Sequence, residues 1–157
     1  MNPVFLLLPL VAGVAAAMQT AINGRLAAAL DGDNITAALF SFLVGALALA
    51  GVALGRGSLP AAVARLPAQP AWHLAGGLLS ATSVLATILL SPRIGSVNTL
   101  ALVLMGQLAA ALLIDQYGFA GVAVRHVSAA RLAGGVVVLG GALLMLFGDR
   151  LAALAAR

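Results

Sequence analysis

Long apolar runs separated by short polar breaks set the pattern of this chain. A helix needs roughly 20 mostly apolar residues to cross the hydrocarbon core of a bilayer. Five stretches meet or approach that length: 3–22, 35–54, 71–90, 97–114 and 132–147. The runs are continuous, whereas the strands of a membrane barrel alternate apolar with polar positions. Lipid offers the backbone no hydrogen-bond partners, so a continuous apolar run crossing it must be helical. The pattern predicts an all-α integral membrane protein with five transmembrane helices per chain, built as one transmembrane domain over 1–157.

The breaks carry their own signals. After the first span come Asn23, Gly24 and the turn Asp31-Gly32-Asp33-Asn34, the most polar part of the chain, with Asp33 or Asn34 suited to cap the next helix. The link 55–69 holds Arg56, Arg65, Pro60 and Pro67, too polar and proline-rich to cross; its middle, 61–66, suits a short turn at the membrane surface. Trp72 opens the third span, where an aromatic belt residue is expected. Ser91-Pro92-Arg93 is expected to close that span, because proline disfavours a helical residue before it. Pairs of small residues four apart (Gly13 and Ala17, Ser41 and Gly45, Gly51 and Gly55) read as packing seams. Gly134, Gly135, Gly140 and Gly141 in the fifth span predict close contact with another backbone.

Composition agrees with the pattern. The chain is 63% hydrophobic and 8% charged, with a mean hydropathy of +1.15. A water-facing domain carries about 25% charged residues, so this chain cannot cover a soluble surface. The net charge of +4 comes from eight scattered arginines without a lysine. Such arginines anchor helix ends at lipid head groups; nucleic-acid binding needs a basic cluster, which is missing. With no cysteine and two isolated histidines, no metal and no other cofactor is expected. No nucleophile–base pair is visible, so the chain is not read as an enzyme. No Lys or Arg precedes the first apolar run, which argues against a cleaved signal peptide and for a first span that stays in place.

The arginines also bear on orientation. The links after spans two and four carry Arg56, Arg65, Arg125 and Arg131; those after spans one and three, with the tail, carry Arg25, Arg93, Arg150 and Arg157. Orientation follows an excess of Lys and Arg on the cytoplasmic side, and here the two sides are equal. The expectation is insertion both ways up, pairing two copies as an antiparallel homodimer of ten helices. That arrangement resembles the inverted repeats of secondary transporters, which place the substrate near the midplane.

The candidate site begins with Gln19 and Asn23, four residues apart and therefore on one face of a helix. Polar groups at membrane depth turn toward other helices or a cavity. They read as a hydrogen-bonding wall for a polar substrate, or as an interhelical clasp of about 0.6 to 2 kcal/mol per bond; a second amide one turn away exceeds what a clasp needs. Gln107 is a lone mid-span amide, open to both readings. Ser41, Asn98 and Thr20 fit packing or capping as well as ligand contact, and Trp72 fits a belt residue or the lining of an entrance. Asp115 borders the fourth span. A raised pKa would suit it to proton coupling, but pairing with Arg125 or Arg131 is the plainer expectation.

Gln19-Thr20-x-x-Asn23-Gly24-x-Leu26, Ser41-Phe42-x-x-Gly45, Trp72-x-x-x-Gly76-Gly77, Gly106-Gln107, Asp115-x-x-Gly118 and Arg131-x-x-Gly134 occur in that order along nearly the whole chain. In this series the chain resembles the small five-span YdcZ-type proteins of the drug/metabolite transporter superfamily. The resemblance implies a multi-pass protein of the bacterial inner membrane and transport by kinship with larger ten-span exporters, without naming a substrate. The expected function is a small secondary transporter, an exporter of a small polar or organic solute, acting as an antiparallel homodimer in the lipid bilayer. The alternatives are a dual-topology channel or facilitator, and a non-transporting partner subunit of a heterodimeric transporter.

Overall fold

A computed structural model describes residues 4–155. Six α-helices follow one another: α1 (Val4–Ala29), α2 (Asn34–Gly55), α3 (Leu59–Arg65), α4 (Ala75–Ile94), α5 (Ser96–Tyr117) and α6 (Ala129–Ala155). Short 3₁₀ turns occupy Leu66–Ala68, Ala71–Leu74 and Phe119–Gly121. All but α3 belong to the five segments long and apolar enough to cross a membrane. Their apolar side chains face outward: Phe5, Leu49, Leu78 and Val137 are 66%, 72%, 72% and 73% exposed. In water such a surface would aggregate; in a bilayer it is the lipid-facing wall.

The residues up to Arg93 form one compact unit and those from Ile94 a second. In the first, α1 and α2 pack as a hairpin. Its core is Ala27, Ala37, Ala38 and Ile88, with Leu26, Leu30 and Val84 packed against them. Alanines at the crossing let the backbones approach closely, and Ile88 of α4 is fully buried among them. The hairpin turns at Asp31 and Gly32, both at positive φ (53° and 85°), where Gly32 N–H donates to the Ala27 carbonyl at 2.9 Å. Asp33 then caps α2: its carboxylate accepts from the backbone N–H of Ile35 (3.1 Å) and Thr36 (3.0 Å) and from the Thr36 hydroxyl. These bonds, the Thr36 hydroxyl first, hold its pKa below the ordinary carboxylate value.

Several boundaries differ from the sequence reading. The first helix does not end at residue 22; it runs to Ala29 and takes in Asn23, Gly24 and Arg25. The segment Leu26-Ala27-Ala28-Ala29 is strongly helix-forming, enough to carry the helix past one glycine. Helix α4 continues through Ser91 and Pro92 to Ile94. So late in a helix, proline removes only the bond to the Ile88 carbonyl, and the stop falls to Gly95 at φ 86°. Helix α6 starts at Ala129, where Ser128 Oγ accepts from Arg131 N–H at 3.3 Å, and runs past residue 147 to Ala155. The short surface turn expected at 61–66 is α3.

In the second unit α5 and α6 pack together, with Ala101 and Ala142 buried. The glycines of α6 do not pack as expected. A side chain at Gly135 would meet Leu112 Cδ1 at 3.3 Å, a side chain and not a backbone, while Gly134, Gly140 and Gly141 meet nothing within 4 Å. Gly13, Gly45, Gly51 and Gly55 are equally open. Within one chain these small-residue faces are unfilled.

Candidate functional site

The inward face of α1 is a stripe spaced three and then four residues apart. Thr20, Asn23 and Ala27 are 6%, 3% and 3% exposed. Thr20 satisfies itself locally, its hydroxyl donating to the Ala16 carbonyl at 3.0 Å. Asn23 does not: its Nδ2 is buried and has no hydrogen-bond partner. It is the one buried side-chain nitrogen or oxygen among the described residues left in that condition. The other buried hydroxyls are spent on their own helices, Thr87 on the Val84 carbonyl (2.8 Å) and Thr99 on the Gly95 carbonyl (2.9 Å). A buried donor without an acceptor costs about 1 to 3 kcal/mol.

Gln19 lies beside this stripe and is exposed. The expected amide pair is thus one buried and one outward-facing group. Ser41 is half-buried on α2, in line with buried Ala37 and Ala38 one turn away. Asn23 and Ser41 lie equally far along the chain on either side of Gly32, so the hairpin brings them to the same depth. Trp72 is 57% exposed and stacks edge-on against His73, ring centres 4.1 Å apart; it stands apart from the buried cluster of its unit.

In the second unit Asn98 Nδ2 donates to the Ile94 carbonyl at 2.8 Å, a local bond that reaches back across Gly95 to the end of α4. Gln107 is exposed on α5. Asp115 pairs with Arg131 at 3.7 Å, and its own carbonyl accepts the Arg125 N–H at 2.8 Å. Gln116 Oε1 accepts the Val127 N–H at 2.9 Å. Together these tie the segment after Gly118 back onto the end of α5. The sequence reading did not single out Gln116; a polar residue beside Asp115, ahead of a glycine and a loop, was the available signal.

Two apolar grooves lie within the units. One, between α2 and α4, runs past Ile35, Phe42, Gly77 and Leu85. The other, between α5 and α6, runs past Val97, Leu104, Gly141 and Met145. Neither carries a charge. A third, of about 280 Å³, lies between the ends of α1 and α4 and is lined by Gly24, Ala27, Asn34, Ile88, Pro92 and Arg93 among others.

Membrane-crossing helices with an apolar exterior and a few buried polar groups define a small multi-pass membrane protein. Residues 4–144 match the model of the family DMT YdcZ, described as "Putative inner membrane exporter, YdcZ". The chain belongs to that family, whose description is of a transporter of the inner membrane and not of an enzyme. No match was found among curated proteins or solved structures.

Proposed function

We propose that the protein is a small secondary transporter exporting a polar or organic solute, and that it works as an antiparallel homodimer by alternating access. The observation that carries the reading is Asn23. A donor held in the interior without an acceptor is a standing cost, and a solute that supplies the acceptor recovers it. Thr20 on the same stripe and Ser41 at the same depth widen the polar patch. The exposed amides Gln19 and Gln107 are suited to meet the second copy or the solute between copies. The balanced arginines support insertion in both orientations, and the open glycine faces leave room for a second copy's helices. Asp115, engaged with Arg131 and the loop, serves structure in this reading.

Orientation is the test. The chain has no cysteine, so single substitutions Ser58→Cys and Gly121→Cys start from a clean background. Labelling with an impermeant thiol reagent, before and after permeabilising cells, is expected to reach about half of each site from outside. A site wholly inside or wholly outside would exclude the homodimer and point to an oppositely oriented partner.

A further inference from the structure

The groove between the ends of α1 and α4 differs from the two apolar grooves in holding a charge. Arg93 is the one charged residue in its lining. Among the described residues Arg93 has no ion pair; the pair found there joins Arg131 to Asp115. The two carboxylates of the hairpin turn, Asp31 and Asp33, do not line the groove. That of Asp33 is committed to the first turn of α2. The carbonyls ending α1 are occupied as well: Leu26 and Ala27 accept from Leu30, and Ala27 also from Gly32. The groove therefore presents the exposed, uncommitted guanidinium of Arg93 beside Ala27 and Ile88, while the first N–H groups of α2 are already taken by Asp33. Ala27 lies one helical turn beyond Asn23 on the buried stripe of α1, and Gly24, the residue after Asn23, also lines the groove.

Resting on the carrier reading above, we infer that this groove is an oxyanion site, in which Arg93 takes a carboxylate or phosphate group. A guanidinium presents its N–H donors in a fork that matches two oxygens at once. The oxyanion comes either from a soluble organic acid or from a phospholipid head group, since both present anionic oxygens that a guanidinium can take in pairs.

The test uses the purified full chain in detergent. Benzoate and inorganic phosphate serve as soluble probes, followed by thermal shift. Phosphatidylglycerol serves as the lipid probe, followed by retention in native mass spectrometry. Arg93→Gln is expected to weaken the bound probe by at least about tenfold, and Arg93→Lys, a point charge without the fork, by less. Competition by benzoate or phosphate identifies a soluble ligand; retained lipid that these ions do not displace identifies a head group. If no probe distinguishes wild type from Arg93→Gln, the site does not exist. A misfolded variant is recognised by its gel-filtration profile, and Arg93→Lys then carries the comparison. Thiol labelling at positions 58 and 121 decides the carrier reading separately, so either idea can fail while the other stands.

Discussion

In the unit up to Arg93, α1 turns Thr20 and Asn23 inward and leaves one amide nitrogen without a partner. In the unit from Ile94, α5 does the opposite. Gln107 faces out, Asn98 is spent on the nearby Ile94 carbonyl, and Asp115 and Gln116 hold a loop. Both units are built from apolar helices, three long ones in the first and two in the second, with alanines buried where they pack, so the type of packing does not distinguish them. What differs is where unsatisfied polarity is stored. An exposed amide in lipid finds a partner by association, whereas a buried one keeps its cost until something enters. The first unit is therefore the better place to look for the solute, and the second for structural support and contact with another copy.

The strongest challenge to this contrast is Asn23→Leu. Leucine fills a similar volume and removes the unpartnered donor, so the variant should gain up to about 1 to 3 kcal/mol of stability. Export of whichever solute binds wild type should meanwhile fall by roughly tenfold or more, the equivalent of one lost hydrogen bond to a ligand. Thermal unfolding of the purified protein and flux from proteoliposomes measure the two effects. Gln107→Leu should leave stability nearly unchanged, because its amide is not buried. Loss of stability in Asn23→Leu would mean that the amide is a structural clasp.

Backbone strain gives the next effect, and it belongs to the second unit. Gly118 sits at φ 66°, and a Cβ there would lie 2.8 Å from Val124 Cγ2 and 2.9 Å from the Val122 carbonyl. Gly118→Ala should cost about 1 to 3 kcal/mol and loosen the loop held by Gln116. Gly140→Ala is the control: nothing lies within 4 Å of it in one chain, and alanine in a helix is favoured by about 0.5 to 1 kcal/mol. If Gly140→Ala instead breaks up a dimer, as read by cross-linking, that glycine packs against the second copy.

The five-helix architecture was legible because membrane spans announce themselves by length and hydropathy alone. The helix ends were less so. Helix α1 outran its apolar stretch because helix propensity, not hydropathy, governs Leu26–Ala29, and α4 passed Pro92 because proline is tolerated where one lost bond is the whole cost. The site was half legible. Spacing put Gln19 and Asn23 on one face, but which of two adjacent polar residues turns inward depends on where the partner helices cross, and the stripe that packs is Thr20–Asn23–Ala27. The commitment of Asp115 to Arg131 was readable from charge; that of Gln116 to Val127 was not, since it needs the loop's path. Arg93 looked like any other anchoring arginine until its surroundings in the groove were known.

The pair Asp115–Arg131 should contribute less. Its side chains are 37% and 56% exposed and 3.7 Å apart, which places the loss in Asp115→Asn within about 0.2 to 1 kcal/mol. The more telling readout is the pH profile of transport. An ion pair serving structure leaves that profile where it was; a proton-coupling carboxylate moves it when replaced. An unchanged profile in Asp115→Asn keeps the second unit out of the chemistry.

The smallest effect concerns the cap of α2. Asp33 has its folded pKa lowered by the Thr36 hydroxyl and by backbone N–H groups, relative to an ordinary value of 3.8. A lowered carboxylate pKa means that the charged form is the one the folded state favours. The stabilisation is therefore complete above that ordinary value and is lost as pH falls through the lowered one. Asp33→Ala should show a slightly lower unfolding temperature than wild type at neutral pH, with the difference shrinking in acid below the ordinary value. The group is fully exposed, so salt and water screen the effect. The helix it caps begins at Asn34, which lines the same groove as Arg93. If Asp33→Ala also weakens oxyanion binding in the groove while Thr36→Val, which removes only the hydroxyl bond, does not, the cap matters to the first unit through its geometry and not through its charge.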